Sequence, residues 1–175
     1  RVWEEPILGA RYLIGADSGE GVPGGDPSSA AVLKAVWEGD GGLRLIEVAT
    51  LHGLIEPARY ATALELAGRW YNRAWLCIER NGPGLLVVEY LANYPRMYRY
   101  ETRGKRRRGR PTERLGWQTN WQSKTCLFLE LASWITAGRL VLRDRDGVVE
   151  IQLLQLDGAK IVGDAARDDR AYGVA

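Results

Sequence analysis

The sequence predicts an α/β fold, a mixed β-sheet of five or more strands with helices on its faces. Three observations carry that prediction. First, two short apolar runs, Tyr12-Leu13-Ile14-Gly15-Ala16 and Ala74-Trp75-Leu76-Cys77-Ile78, each end on an acid (Asp17, Glu79) and lead into a glycine-containing turn. Second, Gly39-Asp40-Gly41-Gly42 separates two strand-like runs, Ser28 to Trp37 and Leu43 to Leu51, as a hairpin turn does. Third, helical spacing over Glu56 to Tyr71 intervenes before the next strand, so the later strands are reached through helices.

In chain order, Arg11 to Asp17 is the first strand. Gly19-Glu20-Gly21-Val22-Pro23-Gly24 follows and has the G-x-G-x-x-G form of a dinucleotide fingerprint. That motif requires a helix to start inside it. Pro23 and Pro27 interrupt it, and the next segment is a strand, so the stretch reads as a loop. The antiparallel pair from Ser28 to Leu51 completes a three-strand meander. In the helix from Glu56 to Tyr71, Pro57 suits a first turn, and Tyr60, Leu64, Ala67 and Tyr71 share one face. Ala74 to Glu79 is the fourth strand. Leu85 to Asn93 is a helix stopped by Asn93 and Pro95, and Met97 to Glu101 alternates as a fifth strand. Gln122 to Ala137 is a helix that buries Leu127, Leu131 and Trp134 and stops at Gly138. Leu140 to Leu142 is a short strand, Gly147 to Leu156 a short helix and Asp157 to Gly163 a loop. A last helix starts near Asp168-Asp169, with Asp164 or Asp168 as its cap.

Composition narrows the function. With 175 residues, 46% hydrophobic and 26% charged, the chain can bury one substantial core. No apolar run approaches the roughly 20 residues that span a bilayer. Cys77 and Cys126 lie in apolar contexts and read as core thiols, and His52 is the sole histidine, so a structural zinc site is excluded. No patterned serine accompanies His52, which argues against a hydrolytic triad. Trp37, Trp70, Trp75, Trp117, Trp121 and Trp134 read mostly as core or half-buried packing.

The acids carry the chemistry. Asp17 and Glu79 end strands that sit side by side if both are central. Asp168 and Asp169 open a helix, where the dipole favours carboxylates. Each acid also has a local role open to it: a turn cap for Asp17, a pair with Arg80 or Arg73 for Glu79, an N-cap for Asp168. Converging carboxylates repel one another, and a divalent cation resolves the repulsion. An all-oxygen set favours hard ions, Mg²⁺ or Mn²⁺. Two such ions about 3.5–4 Å apart clamp both the attacking water and the leaving oxygen of a phosphodiester.

These residues resemble a known family. Leu-Ile-Gly-Ala-Asp17-Ser-Gly, Gly25-Asp26-x-Ser28-Ser29-Ala30, Cys-Ile-Glu79-Arg-Asn81-Gly, Gly116-Trp117-x-Thr119 and Asp168-Asp169-Arg together look like the C-terminal nuclease domain of the large terminase subunit of tailed bacteriophages. The likeness spans nearly the whole chain and implies a ribonuclease H-like fold with an inserted β-hairpin, here between Met97 and Asn120. It implies a metal-dependent endonuclease that cuts concatemeric viral DNA during genome packaging. Asp17 would bridge two metals, Glu79 would bind one, Asp168 or Asp169 would complete the other, and Asp26 would be an accessory acid. A turn aspartate before Pro27 is the alternative for Asp26. Residues 1–175 would then be a single nuclease domain excised from a longer chain, since no G-x-x-x-x-G-K-[ST] motor motif occurs. The last helix would be cut short, loosening the Asp168-Asp169 ligand. The implied partners are double-stranded DNA and, in the longer chain, an ATPase domain, the portal and the small terminase subunit. The implied place is the host cytoplasm, with no membrane.

Arg103, Lys105, Arg106, Arg107, Arg108, Arg110 and Arg114 crowd one stretch, although net charge is only +2. The stretch is either a solvated loop or a DNA contact; no aromatic residue interleaves it, so any contact is with phosphates. Two rival functions remain: another ribonuclease H-like nuclease, of junction-resolvase or integrase type, and a non-catalytic DNA-binding or assembly module.

Overall fold

The computed structural model describes residues 1–39, 42–102, 112–157, 160–163 and 169–175. Its elements in chain order are β1 (Arg11–Asp17), β2 (Ser28–Trp37), β3 (Leu43–Gly53), α1 (Pro57–Trp70), β4 (Trp75–Ile78), α2 (Gly84–Tyr90), β5 (Arg99–Thr102), β6 (Thr112–Leu115), α3 (Trp121–Thr136), β7 (Leu140–Val141), α4 (Arg145–Gln152), β8 (Leu154–Asp157), β9 (Lys160–Gly163) and α5 (Asp169–Val174). The main sheet has five strands in the order β4-β1-β2-β3-β7. β1, β2 and β3 are the antiparallel meander, while β4 joins β1 and β7 joins β3 in parallel. The mixed, helix-covered sheet is as expected. The hairpin turn at Asp40 and Gly41 lies outside the described residues.

Strand alternation divides the core. Tyr12, Ile14 and Ala16 of β1 and Leu76 and Ile78 of β4 face one side, where Tyr60, Ala61 and Leu64 of α1 and Val87 and Val88 of α2 cover them. Ala31 and Leu33 of β2 face the other side, against Phe128 and Leu131 of α3 and Ala171 and Val174 of α5. The intervening residues of β1 and β4, including Asp17 and Glu79, belong by alternation to this second side. α1 and α3 start where side chains supply caps. Glu56 accepts from the backbone N–H groups of Ala58 and Arg59 at 3.0 and 3.1 Å, with Pro57 in the first turn. Asn120 and Ser123 form a reciprocal capping box at α3.

Several sequence expectations need correction. The fifth strand of the sheet is β7, not Met97 to Glu101. Met97 only bridges Leu76, and the chain then leaves as β5, which pairs with β6 in a two-stranded hairpin. A hairpin is therefore inserted between α2 and α3. The short helix is Arg145–Gln152 rather than Gly147 to Leu156, and residues 154–157 and 160–163 pair as a second hairpin in place of the end of that helix and the loop after it. In α3 the buried side chains are Phe128 and Leu131, while Leu127 and Trp134 are only partly buried. Cys126 is exposed and is no core thiol. Trp37, Trp70, Trp75 and Trp121 are each about half exposed. Trp75 has this exposure because alternation turns it to the second side, onto an open groove rather than the α1 core. No described helix is long and apolar enough to cross a membrane.

Candidate metal centre

Asp17 is the last residue of β1. The parallel ladder runs Leu13↔Trp75, Ile14↔Leu76, Gly15↔Cys77 and Ala16↔Ile78, and the Glu79 N–H donates to the Ala16 carbonyl at 2.8 Å. One step further along the same register, Asp17 and Glu79 lie side by side on adjacent strand ends. Both side chains face the side on which α5 packs.

Two glycines let α5 approach that closely. A Cβ on Gly15 would overlap the carbonyl oxygen of Gly173, and a Cβ on Gly173 would come within 3.3 Å of the Ala31 backbone nitrogen. A side chain at Gly15 would lift the helix from the sheet, and one at Gly173 would press tightly on β2. With α5 seated on β1 and β2, its first residue, Asp169, is buried and brings a third carboxylate to the strand ends.

The electrostatics at Asp17 record the convergence. Its carboxyl is pushed from 3.8 up to about 8, chiefly by burial, then by the charges of Glu79 and Asp169 and a side-chain hydrogen bond with Glu79. The Ser18 backbone N–H donates to Asp17 Oδ1 at 2.8 Å and pulls weakly the other way. Beneath the site, Tyr60 is fully buried and donates to the Ser29 carbonyl at 2.6 Å. Ser29 is the β2 partner of Asp17, so α1 braces the strand end from the opposite face.

No three Asp, Glu, His or Cys side chains among the described residues form a ready cage for a metal ion. Asp17, Glu79 and Asp169 form a looser set that meets through charge. The donors still fit a hard divalent ion: all are carboxylate oxygens, buried or half-buried, with repulsion that protonation relieves when no cation does. The nearby thiol does not compete, since burial pushes Cys77 up to about 11 and keeps it protonated.

The other candidate residues divide. Asp26 is exposed on the loop after β1, and its backbone packs tightly on Gly19. Asp168 and the basic residues Arg103, Lys105, Arg106, Arg107, Arg108 and Arg110 lie outside the described residues, as does Asp164. The Gly19–Gly24 stretch leads into a strand, so it opens no helix and cradles no nucleotide. An apolar groove of about 560 Å³ runs beside the acids, lined by Leu13, Leu33, Trp75, Leu127 and Tyr172 and reaching Glu79.

No protein-family model matches the chain, and no curated protein sequence does either. Solved structures do. The large terminase nuclease of thermophilic phage G20c with bound magnesium superposes at a TM-score of 0.71 and 17% identity, over 99% of this chain and 82% of that one. The same nuclease with bound cobalt gives 0.71 at 19% identity, over 99% and 82%. The nuclease domain of the large terminase from Thermus phage P74-26 gives 0.69 at 18% identity, over 99% and 80%. The chain has the fold of a phage large-terminase nuclease domain. Its five-stranded mixed sheet carries Asp17 and Glu79 at adjacent strand ends.

Sequence reading passed over several residues that shape this site. Gly15 was a visible signal, because a lone glycine inside an apolar strand marks a close backbone approach. Glu47 was another: it interrupts the apolar run of β3, is almost fully buried, and accepts from the Arg143 and Asp144 N–H groups at 2.6 and 2.7 Å. Burial pushes its carboxyl upward against those two bonds. Arg170 follows Asp168-Asp169, and its neighbours in sequence do not reveal its partners.

Proposed function

We propose that this chain is a metal-dependent DNA endonuclease that cuts concatemeric viral DNA during genome packaging. The observation that carries the reading is the meeting of Glu79 and Asp169 at half-buried Asp17, whose carboxyl is pushed to about 8 first by desolvation and then by those two charges. Such an arrangement is unfavourable in a metal-free protein and favourable around cations. The likeness of fold to metal-bound terminase nucleases supports it.

Asp17, Glu79 and Asp169 would hold two ions, Mg²⁺ or Mn²⁺, with Asp17 shared between them. When bound, such ions supply charge neutralisation at the phosphate and activation of the attacking water. The chain does the rest. The Ser18 N–H fixes one oxygen of Asp17. Tyr60 and the β1–β4 ladder hold the strand ends rigid, so the carboxylates need little rearrangement. Double-stranded DNA is the substrate, and the basic stretch from Arg103 to Arg110 contacts its phosphates. In a longer chain, 1–175 would be the nuclease domain beside an ATPase motor that works with the portal and small subunit in the host cytoplasm.

Plasmid nicking in Mg²⁺ or Mn²⁺ tests the reading. The parent protein should nick and linearise supercoiled DNA, and Asp17→Ala should not. An Asp17→Ala protein that cuts as well as the parent would overturn the assignment. Preference for branched over linear duplex would move the function to a junction resolvase, and DNA binding without cutting would leave a binding module.

A further inference from the structure

Arg170 follows Asp169 in α5, yet its side chain belongs to a second acidic group on the far side of the helix start. Its Nη1 pairs with Asp144 Oδ2 at 2.6 Å and with Asp146 Oδ2 at 3.1 Å. Its Nε lies 3.3 Å from Glu150 Oε1, and its Nη2 lies 3.3 Å from His52 Nδ1. Its backbone N–H donates to Glu150 Oε2 at 2.9 Å. One residue is thus tied by main chain and side chain to α4, and by side chain to the end of β3.

The anchorage continues inward. Asp144 precedes α4 without making a side-chain cap bond, so its buried carboxylate is directed at cations, Arg170 and, at 3.5 Å, Arg1. The Asp144 N–H donates to Glu47, which β3 holds almost fully buried. The chain of contacts therefore runs from the sheet, through the start of α4, to the first turn of α5.

A helix of six residues does not sustain itself, and its orientation is set by what holds it. Besides the packing of Ala171 and Val174 in the second core, two contacts orient α5. The Gly173 contact with Gly15 seats its far end on the sheet, and the Arg170 clamp fixes its near end. Asp169 stands one residue before the clamp. We propose that Arg170 is a positioning residue, which, given the metal reading of the Asp17 site, holds the Asp169 carboxylate where the cations bind, by locking the first turn of α5 to α4. Its side chain is taken up by Asp144, Asp146, Glu150 and His52. It acts as outer-shell partners of metal ligands do, by fixing the ligand's approach before the ion arrives.

The test compares Mn²⁺ binding and Mn²⁺-dependent nicking in Arg170→Gln, Arg170→Lys and Glu150→Ala. Binding is read without catalysis, as the Mn²⁺ concentration giving half-maximal thermal stabilisation. Arg170→Gln and Glu150→Ala should each raise that midpoint about tenfold, the scale of outer-shell losses. Nicking at saturating Mn²⁺ should stay within about twofold of the parent, because the loss lies in binding and not in the chemical step. Arg170→Lys should fall between, since it keeps the charge and loses the fork. Arg170→Gln leaves buried Asp144 without its strongest partner; if that variant fails to fold, Glu150→Ala, which keeps the Asp144 pair, decides. A folded Glu150→Ala or Arg170→Gln protein with the parent's Mn²⁺ midpoint would overturn the proposal. Asp17→Asn separates the two claims. If it abolishes the Mn²⁺ response while the clamp variants keep the parent's midpoint, only the positioning role falls. If the parent shows no Mn²⁺ response, or Asp17→Asn responds as the parent does, the metal reading falls and the role with it.

Discussion

Replacing Asp17 with asparagine should move stability and metal response in opposite directions. In the metal-free protein the Asp17 carboxyl is raised from 3.8 to about 8, so the folded state keeps a proton that the unfolded chain has released. The sign follows from linkage: a folded state that binds more protons loses stability as pH rises, here from about pH 4 to about pH 8, with no further loss above that. Four pH units at about 1.4 kcal/mol each set a ceiling of about 5–6 kcal/mol. The realised cost is smaller, because Asp17 is partly exposed and water screens the repulsion, and about 2 kcal/mol at pH 8 is a reasonable share.

Asparagine removes that charge and keeps an oxygen for the Ser18 N–H bond. With chelator present at pH 8, Asp17→Asn should therefore melt about 4–8 °C above the parent, since about 2–4 °C accompanies each kcal/mol in a chain of this size. The gap should close as pH falls toward 4. Thermal melts of both proteins across that range, read by circular dichroism, measure it, and the difference between them cancels the other titrating groups. Adding Mn²⁺ at about a hundred times its dissociation constant should raise the parent's stability by about 2.7 kcal/mol and the variant's hardly at all. A variant less stable than the parent at pH 8 without metal, or a gap that does not change with pH, would refute the claim that three acids crowd this strand end.

Gly15→Ala should cost about 1–3 kcal/mol, because its Cβ overlaps the Gly173 carbonyl, and should also raise the Mn²⁺ midpoint as α5 lifts; denaturant melts and Mn²⁺ titration check both, and parent-like values would mean that α5 does not rest on this contact. Tyr60→Phe should lower stability by about 1–2 kcal/mol by leaving the Ser29 carbonyl without its buried donor. An unchanged urea midpoint would show that the bond contributes nothing. Neutralising Arg106, Arg107 and Arg108 should weaken DNA binding at low salt and reduce the slope of log K against log salt by up to about 3. An unchanged slope would take the basic stretch out of the interface.

What the sequence discloses about this fold tracks how local each determinant is. β1, β2 and β3 are legible because alternation and a glycine-rich turn are written in consecutive residues, and the adjacency of β1 and β4 is suggested by two apolar runs that each end on an acid. β7 is only two residues long and pairs with β3 because α3 delivers it there, so no local pattern marks it as the fifth strand. Met97 to Glu101 alternates, and alternation alone does not distinguish a sheet strand from a hairpin strand; the pairing of Arg99 with Leu115 decides it. Cys126 misled for a similar reason. The apolar content of α3 is high all round, and only the packing of Phe128 and Leu131 shows which stripe is inside. At the candidate site, the adjacency of Asp17 and Glu79 is local in this sense, one step along a four-residue parallel ladder. The approach of Asp169, 152 residues further along the chain than Asp17, is not local. It depends on Gly15 and Gly173, two residues defined by what they lack, and on Glu47, Asp144 and Arg170, three charges on three elements. Gly15 and Glu47 stand out in the apolar runs they interrupt, while Gly173, Asp144 and Arg170 look ordinary in theirs, and what all five do exists only once the segments meet.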